Sequence, residues 1–258
     1  MRIQDRIILV TGASEGIGRA CVEEFRRRGA KVALVARNKQ KLEEVAAPGD
    51  LVIAADLLQP ESRKEAVRRC VEHFGRIDIL VNNAGRGLSS PAWRTDPSQA
   101  RQLYELNFFA PLELSQLAVP HMQSQRSGMI VNVGSVAGKV TMPWFSLYSS
   151  TKFALGALTN GLRMELESSG IHTMLVCPGF VRTEFHNHTL GGPPAGHERR
   201  GRPGEITPEQ CAAAIAGGIE RHARTIVAPK TAWLLIAASR LFPATVDRLL
   251  ARTIERRQ

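Results

Sequence analysis

The sequence predicts an α/β fold: a doubly wound parallel sheet of about seven strands, sandwiched between helices in three layers. Three observations carry this. Strand and helix signals alternate along most of the chain, the pattern that builds right-handed βαβ crossovers. Several strand segments are continuous apolar runs, as strands covered on both faces require. The first strand enters the first helix through a run rich in glycine.

Each element has its own signal. Ile7-Ile8-Leu9-Val10 is an unbroken apolar run and forms the first strand. A helical pattern over residues 16–28 is stopped by Gly29. Residues 31–36 make the second strand, 39–46 a helix, and Leu51-Val52-Ile53-Ala54 a third strand that leads to Asp56. Pro60 suits the first helical position and opens a helix to about Phe74. Residues 77–81 form the fourth strand, and Pro97 opens a long helix to about Ser124. Residues 129–133 are a fifth strand, 146–168 a helix and 172–176 a sixth strand. Thr207-Pro208-Glu209-Gln210 has the N-cap, proline and glutamine of a well-made helix start. Residues 225–228 are the last strand. Gly191 to Gly204 has no periodicity, contains Gly-Gly-Pro-Pro and an arginine cluster, and reads as a surface loop over the active site, a lid of about residues 184–206.

Composition narrows the class. A chain of 258 residues with 43% hydrophobic content buries one sizeable core, so residues 1–230 read as a single domain. Residues 231–258 read as an extension of two short basic amphipathic helices broken at Pro243, which suits packing on protein better than a peripheral membrane contact. Four cysteines, Cys21, Cys70, Cys177 and Cys211, lack CxxC pairing and fit reduced thiols in a cytoplasmic protein. The seven histidines are dispersed, so no metal site is expected. No signal peptide is evident, and no apolar run approaches the roughly 20 residues that span a bilayer. The net charge of +10 is compatible with anionic lipid or phosphorylated ligands. Nucleic acid is not expected, because aromatic residues are 5% of the chain and none interleaves with the basic runs.

Two constellations carry chemistry. Thr11-Gly12-Ala13-Ser14-Glu15-Gly16-Ile17-Gly18 joins the first strand to the first helix. Its glycines permit a tight turn and close backbone approach to a pyrophosphate, and the helix N-terminus offers free N–H groups. Ser135, Tyr148 and Lys152 stand at the spacing Ser-x12-Tyr-x3-Lys, and Tyr148 and Lys152 fall one helical turn apart. A lysine cation beside a phenol favours phenolate, so the tyrosine is expected to titrate below its ordinary value. Asn107 has a separate signal: in an α-helix its carbonyl accepts the N–H of residue 111, and residue 111 is proline. That carbonyl is expected to hold a water that relays protons to Lys152.

With these motifs in order, the chain resembles a classical short-chain dehydrogenase/reductase over roughly residues 5–230, a family with a Rossmann-type fold. The family's TGxxxGxG is Thr11 to Gly18, its NNAG is Asn82-Asn83-Ala84-Gly85, its Ser-Tyr-Lys set is Ser135, Tyr148 and Lys152, and its helical asparagine is Asn107. Its PG motif is Pro178-Gly179, followed by Val181 and Thr183. The resemblance implies a dinucleotide held by Gly12, Ser14, Gly16, Ile17 and Gly18, with Asp56 beside Leu57 at the adenine. It places Asn83, Ala84 and Gly85 along the ribose, Tyr148 and Lys152 at the nicotinamide ribose, and Thr183 at the carboxamide.

At the end of the second strand, an acidic residue would take the ribose 2′-hydroxyl. Here stand Ala36 and Arg37, a small side chain and a guanidinium that suit a 2′-phosphate, so NADP(H) is expected over NAD(H). The implied reaction is hydride exchange with a carbonyl or secondary alcohol. Met142-Pro143-Trp144-Phe145, Phe180, Phe185 and Trp93 suggest an apolar pocket for a lipophilic ketone, steroid-like alcohol or acyl-chain carbonyl. The family's habit implies a homodimer or homotetramer through helices near 97–124 and 146–168. The competing readings are a catalytically silent nucleotide sensor, a membrane-associated scaffold, or an epimerase or dehydratase on the same fold.

Overall fold

A computed structural model describes residues 1–192 and 204–255. Seven parallel strands form one sheet: β1 (Ile7–Thr11), β2 (Lys31–Ala36), β3 (Leu51–Ala54), β4 (Ile79–Asn82), β5 (Gly128–Val133), β6 (Ile171–Pro178) and β7 (Thr225–Ala228), in the order β3-β2-β1-β4-β5-β6-β7. The strand order reverses between β1 and β4, so a crevice opens there at the carboxyl ends of the strands.

The period-2 pattern of the strands sorts side chains to two faces. Ile8 and Val10 pack with Cys21, Val22 and Phe25 of α1 (Gly16–Arg27) and with Leu42 of α2 (Lys39–Val45). The same face takes Cys211 and Ile215 of a later helix, Pro208–Glu220. Ile7 and Leu9 point the other way, toward Ala66, Val67 and Cys70 of α3 (Pro60–Phe74) and a core built with Leu114, Ala118 and Met122. All four cysteines are buried and free. The expected three-layer sandwich is therefore the observed one, and no helix among the described residues is long and apolar enough to cross a membrane.

The long helix expected over residues 97–124 is instead three pieces: α4 (Pro97–Tyr104), a π turn at Glu105–Phe109 and α5 (Ala110–Ser124). The Ala110 N–H donates to the Glu105 carbonyl, five residues back. Pro111 supplies no N–H, and the wider turn is the local answer to that missing donor. The helix α6 (Ser146–Glu165) stops three residues earlier than expected and passes into a 3₁₀ turn at Glu167–Ser169. α7 (Pro208–Glu220) starts with the expected capping box, the Thr207 hydroxyl accepting from Gln210 N at 3.2 Å and the Gln210 side chain accepting from Thr207 N at 2.9 Å. The extension forms α8 (Ala232–Leu241) and α9 (Pro243–Glu255), divided at Pro243 as expected. Of the expected lid, residues 193–203, with Arg199, Arg200 and Arg202, lie outside the described residues, as do Arg256 and Arg257.

One buried cation braces the crevice from below. Arg63 of α3 is fully buried. Its Nε donates to the Leu57 carbonyl at 2.7 Å, one Nη pairs with Glu105 of the π turn, and the other lies 2.7 Å from Glu113 of α5. Removing the guanidinium leaves two carboxylates facing each other without their cation, each side chain 36% exposed. Arg63→Met is expected to cost about 2–4 kcal/mol in urea unfolding, less than a fully buried pair because water still reaches the carboxylates. A loss under about 0.5 kcal/mol would remove the brace from this description.

Candidate active site

The two loops at the strand reversal are tied by one hydroxyl. Thr11 Oγ1, at the end of β1, donates to the Val81 carbonyl at 3.2 Å and accepts from the N–H groups of Asn83 (2.9 Å) and Ala84 (3.0 Å). Asn83 answers with its side-chain amide, donating to the carbonyls of Thr11 (2.9 Å) and Gly12 (3.2 Å). The glycine loop therefore has a fixed distance from the segment after β4. Gly12 and Gly16 take φ values of +65° and +55°, which an L side chain resists, and a Cβ on Gly12 would meet Asn83 and Ala84 at 2.9–3.0 Å. Gly18 is not among the residues that line the crevice; a Cβ there would lie 2.0 Å from the Gly12 carbonyl oxygen, so its lack of a side chain lets α1 pack on the loop.

The crevice is a single cleft of 1120 Å³. At one end it is lined by Gly12, Ser14, Gly16 and Ile17 of the glycine loop, by Arg37 after β2, and by Asp56 and Leu57 after β3. Its middle is lined by Asn83, Ala84 and Gly85, and its other end by Ser135, Tyr148 and Lys152. Pro178, Gly179, Val181 and Thr183 follow β6 along its side. Thr183 stands against Gly16: a Cβ on that glycine would come within 3.1 Å of the threonine methyl. Met142, Pro143, Trp144, Phe145, Phe180 and Phe185 also line the cleft, as expected. Trp93 does not; it is 79% exposed on a 3₁₀ turn (Ala92–Arg94) away from the cleft.

Several lining residues were not singled out from the sequence. Arg86 follows Asn82-Asn83-Ala84-Gly85 directly, and its guanidinium is held below its usual value by burial and by Arg37 nearby, with Asp56 opposing. Lys41 of α2 lies 3.2 Å from Glu15 in the glycine loop, and His188 lies 3.3 Å from the same carboxylate. Leu235 of α8 and Leu250 of α9 also line the cleft, so the C-terminal extension contributes to its wall. Position next to a motif was the available signal for Arg86; Leu235 and Leu250 belong to the amphipathic extension, whose pattern suits closing over the active site as well as covering a neighbouring subunit.

At the chemical end, α6 presents Tyr148 and Lys152 one turn apart, both buried. The Tyr148 ring is held between Phe145 and Phe185, at centroid distances of 5.9 and 5.7 Å. Lys152 Nζ donates to the Val133 carbonyl at 2.9 Å and lies 5.8 Å from the centre of the Tyr148 ring. Ser135 follows β5; its hydroxyl accepts from Ala137 N at 3.0 Å, and it stands at the same end of the cleft as the Tyr148 phenol.

Asn107 is fully buried in the π turn and does not line the cleft. Its side-chain oxygen accepts from Arg86 N at 2.9 Å, and its amide donates to the Arg86 carbonyl (2.9 Å) and Thr151 Oγ1 (3.2 Å). It thus ties the segment after β4 to the helix that carries Tyr148.

The expected fall in the tyrosine's titration is not what burial produces. Desolvation pushes the Tyr148 phenol up to about 12, with the Ser135 hydrogen bond opposing. Desolvation also pulls the Lys152 ammonium down to about 8, so the lysine is itself a weakened cation. The α6 geometry is as expected, but the loss of water outweighs the pairing of the two groups.

The family model described as "short chain dehydrogenase" matches residues 6–190. The chain is 32% identical over 202 residues to dehydrogenase/reductase SDR family member 7B of Danio rerio, covering 74% of this chain and 65% of that protein, slightly under two thirds of the relative's length. A short chain dehydrogenase from Burkholderia cenocepacia, solved in complex with NADP, matches with a TM-score of 0.83 at 27% identity, covering 97% of this chain and 99% of that one. A 3-ketoacyl-(acyl-carrier-protein) reductase from Brucella melitensis, complexed with NADH, matches with a TM-score of 0.78 at 26% identity, covering 87% and 97%.

The buried lysine has a measurable consequence. Between about pH 8 and its ordinary value of 10.5, the unfolded chain carries a proton on Lys152 that the folded chain has released. The Lys152 contribution to stability therefore rises with pH across that window, by about 2–3 kcal/mol from pH 8 to 10, while the four buried thiols, all raised by burial, work the other way as the unfolded chain loses their protons. Above pH 10 the raised Tyr148 phenol works in the opposite direction, because the folded chain keeps a proton that the unfolded chain loses. Urea unfolding of the wild type and Lys152→Met at stepped pH isolates the lysine, since the thiols are common to both: the stability difference is expected to shift toward the wild type by about 2–3 kcal/mol from pH 8 to 10, and an unchanged difference would contradict it.

Proposed function

The protein belongs to the short chain dehydrogenase family, and on that premise we propose that it exchanges a hydride between NADP(H) and a lipophilic carbonyl or secondary alcohol. The observation that carries the proposal is the single cleft that joins the glycine loop to Ser135, Tyr148 and Lys152. The dinucleotide fits the residues present. Gly12 and Gly16 leave room for phosphate where a Cβ would strain the loop, and no side chain caps the N-terminus of α1. Ala36 leaves space after β2, and Arg37, Lys41 and Arg86 line the same end, which supports a 2′-phosphate. Asp56 and Leu57 would border the adenine, and Thr183 the carboxamide.

When bound, the nicotinamide supplies or accepts the hydride. The chain's part is position and protons. Tyr148 would protonate the substrate oxygen in reduction and take the proton back in oxidation. Ser135, at the same end of the cleft, would hold the same oxygen as charge develops on it. Lys152 would favour the tyrosinate when the proton leaves and hold the ribose hydroxyls. Asn107 would keep the wall at Arg86 and the α6 helix in register, and its main-chain carbonyl remains the proposed seat of a relay water. Trp144, Phe145, Phe180 and Phe185 give the substrate end an apolar wall, which supports a ketone or acyl-chain carbonyl over a sugar.

A homodimer or homotetramer through α5 and α6 is also proposed. Phe109, Phe153 and Met164 are large apolar side chains left exposed at the π turn and on α6, which supports burial there by a second copy.

Two assays test the reading. With NADPH and a panel of aliphatic, aromatic and steroid ketones, Tyr148→Phe is expected to lower kcat by about 10²–10⁴-fold while leaving NADPH affinity nearly unchanged. Equal turnover in the variant would overturn the role of the phenol. Arg37→Asp is expected to weaken NADPH by about 10–150-fold and NADH far less; equal effects on both cofactors would remove the 2′-phosphate assignment.

A further inference from the structure

The C-terminal helices leave an outward face that the rest of the chain does not cover. Ile236 and Val246 are the buried anchors of α8 and α9, packed with Val136, Leu175 and Val227. Leu235 and Leu250 face the cleft. On the outside, Leu234, Ala237 and Leu241 recur at helical spacing along α8, and Phe242 follows at its end. Leu234 is 75% exposed, Leu241 72% and Phe242 63%, with Trp233 and Leu249 beside them also exposed. Five large apolar side chains within seventeen residues are therefore exposed on this pair of helices, a density above that of scattered surface leucines.

The charge on this face selects its partner. Lys230, Arg240, Arg248 and Arg252 are exposed there, against Asp247 as the exposed acidic residue of the same stretch. A two-fold copy of the chain on this face would bring two copies of this basic set together, with only Asp247 from each to offset them. An anionic lipid surface meets both requirements: its headgroups take the guanidiniums, and its acyl boundary takes the tryptophan, phenylalanine and leucines.

We propose that α8 and α9 form a docking surface for an anionic bilayer, with Trp233, Leu234, Leu241, Phe242 and Leu249 entering the interface and Arg240, Arg248 and Arg252 at the headgroups. The surface lies on the same two helices that wall the cleft, so docking brings the cleft mouth to the lipid boundary. The assignment rests on exposure and charge and is independent of the proposed hydride transfer.

The test uses the full chain with vesicles of phosphatidylcholine alone and of phosphatidylcholine mixed with phosphatidylglycerol. Co-sedimentation is expected with the mixed vesicles, at least about tenfold weaker with the neutral ones and weakened by salt, since each arginine near an anionic surface adds about 1 kcal/mol, or roughly fivefold. L234E/L241E, which alters exposed positions only, is expected to abolish sedimentation while keeping the circular dichroism of the wild type. In a W93F/W144F background, emission from Trp233 is expected to shift to the blue on the mixed vesicles. Equal sedimentation of wild type and L234E/L241E would overturn the proposal, as would absence of binding to anionic vesicles. A loss of oligomer mass in L234E/L241E by light scattering, without any vesicle binding by the wild type, would assign the patch to a second copy instead.

Discussion

The hydroxyl of Thr11 is the constraint on which the cleft depends. It uses its proton and its lone pairs at the strand reversal, on Val81 of one strand and on the N–H groups that follow it. Without this tie the glycine loop and the segment after β4 would each have to satisfy buried backbone groups alone, at about 1–3 kcal/mol for each one left unpaired. With it, the phosphate end of the cleft has a floor and a wall at fixed separation. Asn107 does the corresponding work one layer further on, fastening Arg86 to Thr151 and so setting the wall at Arg86 against the helix that presents Tyr148.

The chemical end is governed by burial. Tyr148 and Lys152 of α6 both lose water, and each is pushed toward its neutral form, the phenol upward and the ammonium downward. The arrangement suits a proton donor: a neutral, buried phenol flanked by Phe145 and Phe185 is an acid waiting for negative charge to develop on an oxygen nearby. Phe145 and Phe185, which enclose the phenol, also line the cleft, so under the proposed function the preference for a lipophilic substrate and the raised proton affinity would have one physical source.

Much of this was legible in the sequence. The bounds of β2, β3 and β7, the capping box at Thr207 and the break at Pro243 follow from local chemistry, and local chemistry decided them. The spacing of Ser135, Tyr148 and Lys152 likewise brought those side chains to one place. What was not legible depends on distant packing. The π turn at Glu105–Phe109 answers a missing proline N–H in a way that only its neighbours, Arg63 among them, can fix. The direction of the Tyr148 titration depends on Phe185, far along the chain, closing over the ring. The cleft-facing sides of Leu235 and Leu250 depend on how α8 and α9 fold back. The packing of α1 on Gly12, which leaves no room for a Cβ at Gly18, likewise shows only in the folded chain.

The most direct measurement of the central claim is the fate of the transferred hydrogen. NADPH deuterated at nicotinamide C4 is incubated with the enzyme and a ketone that it turns over, and the alcohol is isolated and examined by mass spectrometry and NMR. Deuterium on the carbinol carbon, from one face of the nicotinamide only, with a primary isotope effect on turnover, is the expected result. Product alcohol without deuterium, or deuterium lost to solvent, would contradict direct hydride transfer across this cleft.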